Sequence, residues 1–333
     1  MNGSDPTALD PDFNAYDLIG DVHGCSDALI ALLDDLGYRR LRGVWRHPDR
    51  IALFTGDLLD RGPAVREVVL QVREMVDAGA ARVVLGNHEY NLAGWFFPAP
   101  ADSGQAWLRP HTERNRSGLQ ETLEQFACHP ADLEDLVSWI HAMPLWLESS
   151  RLRVIHACWD EAAIAGFRRS RQDRILTPQL AAEACRRGSL ARRLLDRILN
   201  GTELDLPEAQ VIVGRDGLRR RRFRTAFWVR EAETFGDVVF QPDPLPEPVL
   251  TEPLDASARA QLLRYPIKAP PVFFGHYWRD GPPALQAPNV CCLDYSVVLG
   301  GRLMAYRFDG ETRLDPKRFA WVETPERRSA RAR

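Results

Sequence analysis

Three short phrases concentrate the residue types that bind metal ions: Gly20-Asp21-Val22-His23-Gly24, Gly56-Asp57-Leu58-Leu59-Asp60-Arg61-Gly62 and Gly86-Asn87-His88-Glu89. Each follows a short apolar run and sits beside a glycine that lets the backbone turn. Two later apolar runs end the same way, in Ile155-His156 and Phe274-Gly275-His276, so four of the eight histidines share this setting. Strand carboxyl ends are where sites assemble in an open α/β sheet. Carboxylate, carboxamide and imidazole donors suit Mn, Fe or Zn, and the lack of cysteine at these positions speaks against a thiolate site. Two divalent ions are therefore the expected cofactor, with Mn the leading choice and Fe or Zn accepting the same ligands. Two ions about 3.5–4 Å apart hold one hydroxide between them and clamp the attacking and leaving oxygens of an in-line displacement. Asp57, in the middle phrase, is the natural bridging ligand.

The elements that must position these phrases are legible in the first third of the chain. Tyr16 to Ile19, Ile51 to Phe54 and Arg82 to Leu85 read as strands. Helices are expected through Leu29, Ile30, Leu32, Leu33 and Leu36, and after Pro63 through Val65, Val68, Val69, Val72 and Met75, stopped at Gly79. Strand and helix thus alternate as in an α/β fold. From Gly94 to Trp146 the chain turns irregular and then helical, which reads as a lid over residues 98–150. Leu152 to Ile155 is a further strand. Residues 160–270, with helices around Leu180 to Leu199 and a proline-rich segment from Gln241 to Pro253, read as an insertion. The core resumes over 271–310, with Val272 to Phe274, Val290 to Leu293 and a hairpin turning at Gly300 and Gly301. The tail after Pro325 is expected to be disordered. One catalytic domain over 1–325 suffices.

At 333 residues with 45% apolar content the chain buries a substantial core. No apolar run approaches the roughly 18 residues of a membrane span, and Met1 to Asn14 lacks a hydrophobic signal core, so a cytoplasmic protein is expected. The net charge of −3 does not steer the chain toward nucleic acid or an anionic membrane, and neither is expected as a partner. Cys25, Cys128, Cys158, Cys185, Cys291 and Cys292 fit neither a zinc pattern nor a disulfide framework, and read as reduced thiols.

The set GDVHG, GDLLDRG, GNHE and two separate histidines resembles the calcineurin-like metallophosphoesterases, specifically the phosphoprotein phosphatases. The resemblance implies a β-sandwich of mixed sheets flanked by α-helices, with helical cover over the metal edge. It implies that Asp21, His23, Asp57 and His276 serve one metal and that Asn87 and His156 complete the other, with Asp57 shared. It also implies His88 as the general acid protonating the leaving alkoxide, Asp60 as the group orienting it, and Arg61 as the holder of the phosphoryl oxygens. Cys25 directly after GDVHG, and Leu293-Asp294-Tyr295 leading into Gly300-Gly301-Arg302-Leu303, resemble instead the bacterial enzymes that cleave diadenosine tetraphosphate. His156 is followed by Ala157-Cys158-Trp159 where phosphoprotein phosphatases carry two glycines, and His276 by Tyr277-Trp278 where the diadenosine enzymes usually carry threonine.

The expected function is metal-dependent hydrolysis of phosphomonoesters by a serine/threonine-type protein phosphatase, through a hydroxide bridging two metals. The alternatives are a dinucleoside polyphosphate hydrolase, a nucleic-acid phosphodiesterase and a non-catalytic phosphate-binding protein. The substrate would be a phosphorylated protein or a small phosphorylated metabolite. Tyr277 and Tyr295 are candidates for its border, with core packing the competing role. The run Arg215 to Arg230, with Phe223, Phe227 and Trp228 interleaved, reads either as a solvated face or as a grip for a polyphosphate and a base. Glu89 reads as a partner of the ligands, and His47, His111, His129 and His141 as structural.

Overall fold

In a computed structural model the chain is described at residues 5–10, 13–171, 173–207, 210–213, 219–240 and 245–324. The tail after Pro325, Arg215 and the start of the proline-rich segment lie outside the described residues.

Strands Tyr16–Ile19, Ile51–Phe54 and Ala81–Val83 run parallel and in one register, with Ile19 opposite Phe54 and Phe54 opposite Val83. That alignment brings the three ligand phrases out at one level of the sheet. The sheet continues antiparallel on its other side through Arg302–Phe308, which pairs with Tyr16–Ile19, Asp294–Tyr295 and Phe319–Glu323. The core segment thus runs past the expected limit at 310, because Phe319–Glu323 closes the sheet edge. A second sheet has the order Val290–Cys292, Val272–Phe274, Arg153–Val154, Leu147–Glu148, its first three strands parallel. The mixed α/β architecture expected from the motifs is what the chain adopts.

Side-chain alternation sorts each strand between two cores. Tyr16, Leu18, Leu53, Val154, Phe273, Cys291, Met304, Tyr306 and Phe308 fill the space between the sheets. Ile19, Phe54, Ile155, Phe274, Cys292, Leu303 and Ala305 turn the other way and join the helical layer. Helix Val65–Asp77 shows how the sequence builds that layer: Val65, Val68, Val69, Val72 and Met75 recur at helical spacing and are all buried. Beyond it Gly79 takes a φ of 69°, and the N–H groups of Gly79 and Ala80 return to Val76 and Met75 to end the helix. Each large apolar side chain fully buried in this way contributes about 1.5–3 kcal/mol.

Two expectations need correction. Gly94 does not begin an irregular stretch, because Asn87–Phe96 is a helix and Gly94 lies inside it. The 160–270 segment, expected as helical cover, also carries strands. Helices Glu161–Ser170, Pro178–Ala184 and Leu190–Asn200 join the main core, whereas Thr202–Asp205 pairs antiparallel with Arg222–Thr225 around a satellite core of Leu204, Phe223, Phe235, Val238 and Val249. The arginine run hides a period-two strand in which Phe223 and Thr225 point into the satellite core, Arg222 faces solvent and Arg224 turns to His276 and Tyr277. Phe227 and Trp228 pack on Phe274 and Tyr277, Phe227 fully buried and Trp228 partly so.

Candidate metal centre

All the ligand-type residues singled out by the motifs meet at the carboxyl edges of the two parallel strand sets. Asp57 is the hub. Its Oδ2 lies 3.6 Å from His23 Nε2 and 3.8 Å from His88 Nε2, and its Oδ1 lies 3.4 Å from His156 Nε2. Asn87 Oδ1 lies 2.9 Å from His156 Nε2 and 2.7 Å from His276 Nδ1. Two groups of donors result, His23-Asp57-His88 and Asp57-His156-His276, with Asp57 common to both. The side chain of His276 therefore joins Asn87 and His156, not Asp21 and His23 as the resemblance implied. Only its backbone N–H reaches Asp21, at 2.9 Å to Oδ2, because Gly275 folds the strand end onto that carboxylate. A Cβ at Gly275 would stand 1.7 Å from Asp21 Oδ1, so any other residue would displace that carboxylate.

The rings are fixed from behind. His23 Nδ1 donates to Leu59 O at 2.7 Å and His156 Nδ1 to Thr55 O at 2.8 Å, which leaves each Nε2 lone pair facing inward as metal ligation requires. His276 Nε2 is buried without a hydrogen-bond partner. Thr55 Oγ1 donates to Asp21 Oδ1 at 3.1 Å. Among the described residues seven non-glycines have a left-handed φ, and five of them are His23, Asp57, Asp60, Arg61 and His276. Each such residue costs about 1–3 kcal/mol unless its surroundings hold it, and strain of this kind gathers at functional sites.

Charge tells the same story. Burial, with Asp294 and Asp57 beside it, holds the Asp21 carboxyl well above its usual range. Burial also pushes Asp294 up to about 6. Burial works to raise Asp57 too, but His156, His88, His23 and the His88 N–H outweigh it and hold the carboxyl far below its ordinary value. Burial drives His23 and His276 well below the usual imidazole range. Buried carboxylates crowding neutral imidazoles form a set that a divalent cation relieves, and the donor set fits one.

His88 stands apart by its second contact. Its Nδ1 lies 2.5 Å from Asp60 Oδ2, and the other Asp60 oxygen accepts from the Thr122 hydroxyl. Burial opposes the charged form of His88, but Asp57 and Asp60 more than offset this and its pKa is raised. The Thr122 link comes from helix Gln120–Phe126 and had no signature in the sequence. Asp294 was not singled out as a site residue, and Arg224 was weighed only within the arginine run. Asp294 is buried where its short strand meets the ligand cluster, and Arg224 donates from Nη1 to His276 O at 3.2 Å. Arg61, whose side chain is exposed, brings Nη1 to 3.1 Å from His23 Nε2.

Glu89 braces the phrase from below. Its carboxylate accepts from the N–H groups of Asp57 at 2.9 Å, Leu58 at 2.9 Å, Leu59 at 3.3 Å and Gly86 at 3.1 Å. Glu89→Gln turns one acceptor oxygen into a donor facing N–H groups, and is expected to lower the unfolding free energy of the metal-free protein by about 2–3 kcal/mol. Urea titration measures this, and an unchanged midpoint would contradict the bracing role.

Both tyrosines offered as a substrate border are buried. Tyr277 is fully buried, its hydroxyl accepting from Thr202 N–H at 3.1 Å and donating to Thr225 O at 3.2 Å, because it locks the inserted strand pair onto the core. Tyr295 is 2% exposed and its hydroxyl accepts from Ala284 N–H at 2.9 Å. Tyr277→Phe is expected to cost about 1–3 kcal/mol of stability, chiefly through the Thr202 N–H left unpaired, since Thr225 O keeps the Thr202 hydroxyl as donor, with KM unchanged. A raised KM with an unchanged melting temperature would restore the substrate role.

The chain belongs to the calcineurin-like phosphoesterases, whose family pattern matches residues 16–167. It is a hydrolase with a metal-binding site of that family. The chain is 32% identical over 179 residues to the asymmetrical bis(5'-nucleosyl)-tetraphosphatase PrpE of Halalkalibacterium halodurans, covering 54% of this chain and 71% of that protein. The symmetrical bis(5'-nucleosyl)-tetraphosphatase of Salmonella paratyphi C is 33% identical over 143 residues, 42% of each chain. Among solved structures, a serine/threonine phosphatase from Saccharomyces cerevisiae aligns over 95% of this chain and 80% of its own, with a TM-score of 0.47 and 13% identity. No helix of the described residues is long and apolar enough to cross a membrane.

Proposed function

We propose that this hydrolase cleaves the phosphoanhydride chain of a dinucleoside polyphosphate. The observation that carries the reading is the pair of guanidinium groups flanking the ligand cluster, Arg61 beside His23 and Arg224 beside His276. Two guanidinium groups at one centre suit a substrate carrying more charge than a single phosphoryl group. The names of the tetraphosphatase relatives supply the substrate class, and Ala157-Cys158-Trp159 after His156 departs from the phosphoprotein phosphatase pattern.

Asp21, His23, Asp57, Asn87, His156 and His276 would hold two divalent ions. When bound, these would supply positive charge for the reacting phosphoryl group and lower the pKa of the attacking water. Arg61 and Arg224 hold the phosphoryl oxygens as charge spreads over them. Asp57 and Asp60 favour the imidazolium form of His88, in which Asp60 holds the Nδ1 proton while Nε2 gives its own proton to the leaving oxygen, leaving a neutral imidazole.

The test is turnover by the metal-reconstituted full chain on diadenosine tetraphosphate, a phosphoserine peptide and an aryl phosphate in parallel. A higher kcat/KM on the dinucleotide is expected. A higher value on the peptide would return the protein to the serine/threonine phosphatases, and metal uptake with no turnover on any of the three would make it a phosphate-binding protein.

A further inference from the structure

We infer that a pocket beside the metal centre, walled by helix Asn87–Phe96 and the strap carrying Arg109, binds the non-reacting phosphates of the substrate, with Arg109 as their anchor. The inference rests on the polyphosphate reading above. The pocket has a volume of about 370 Å³, and its wall includes Asn87, which also faces His156 and His276. One carboxamide thus stands between the ligand cluster and this cavity, so a phosphate chain reacting at the cluster enters the cavity with its next groups. The volume is near the lower end of the roughly 300–1,000 Å³ typical of small-molecule sites.

Arg109 is the guanidinium of this pocket with an unused donor. Its Nη1 donates to Asn91 Oδ1 at 2.5 Å, while its Nε is buried without a hydrogen-bond partner. No carboxylate of the described residues forms an ion pair with it. The pocket's other arginine, Arg192, is engaged by Asp196 at 2.6 Å and is already neutralised. A half-buried guanidinium with an idle donor is matched by an anionic oxygen, and the fork geometry of arginine favours phosphate. Neutral donors surround it, since Asn115 and Tyr90 line the same wall.

The strap is held rigidly. Arg109 N–H donates to Gly94 O at 2.8 Å, and a Cβ at Gly94 would stand 3.2 Å from that of Arg109, so the glycine permits the approach. Two residues further on, the His111 ring lies between Trp95 and Trp107 with centroids 3.7 and 5.0 Å away, and its Nε2 donates to Trp95 O at 2.8 Å. A guanidinium fixed before substrate arrives binds without the cost of ordering it.

The test uses inorganic triphosphate and orthophosphate as competitive inhibitors of aryl phosphate hydrolysis by the full-length, metal-loaded protein, with metal in excess of inhibitor. The wild type is expected to prefer triphosphate. In Arg109→Gln the ratio of the orthophosphate to the triphosphate inhibition constant is expected to fall about tenfold, as for loss of a charge-assisted contact. Arg109→Lys keeps the charge and loses Nε, and should fall between the two. It carries the test alone should the glutamine variant fail to fold. A ratio unchanged in the variants, or a wild type with no preference for triphosphate, would overturn the pocket assignment. If the ratio depends on Arg109 but the wild type leaves diadenosine tetraphosphate intact, the pocket stands and the dinucleotide reading falls.

Discussion

Asp57→Asn is expected to reduce kcat by at least about a thousandfold and to lower the metal content from two ions per chain to less than one. The carboxamide is nearly isosteric, so the fold should survive, but Asp57 is the residue shared by both donor groups and its two oxygens face three imidazoles between them. Removing its charge weakens both positions together. Elemental analysis of the dialysed protein beside a turnover assay checks this. Retention of two ions with full loss of turnover would assign Asp57 a role in the chemistry alone, and retained activity would exclude it from the centre.

His88→Asn separates chemistry from metal binding. On a phosphoserine peptide the leaving group is a basic alkoxide, and loss of a general acid is expected to cost kcat about 10²–10⁴-fold. On a dinucleoside polyphosphate the leaving oxygen belongs to a phosphate, a far weaker base, and the same substitution is expected to cost only about tenfold. Metal content should stay at two ions, because the asparagine leaves the other donors untouched. His88 also lies in one of the two donor groups, so loss of an ion in this variant would make it a ligand and displace it as the acid. Equal losses on the peptide and the dinucleotide would contradict the proton-transfer role.

Much of this centre was legible because each ligand sits directly after a strand, where the apolar run, the glycine and the polar residue lie side by side in sequence. The apolar strand runs Tyr16 to Ile19, Ile51 to Phe54 and Val272 to Phe274 and the helical period of Val65 to Met75 were readable for the same reason. The missed contacts join residues distant in the chain. Thr122 meets Asp60 across 62 positions and Arg224 meets His276 across 52, and neither carries a local pattern. The strand inside the arginine run was not read because arginines and aromatics alternate there over too few residues, with Phe223 building a satellite core. The grouping of His276 with Asn87 depends on which way one imidazole turns after Gly275, and that is set by packing against Asp21.

The most direct measurement is an anomalous difference map from crystals of the protein grown with Mn. The account predicts two peaks about 3.5–4 Å apart on either side of Asp57, one against His23 and one against Asn87, His156 and His276. A single peak, or peaks elsewhere in the chain, would contradict a dinuclear centre at this site.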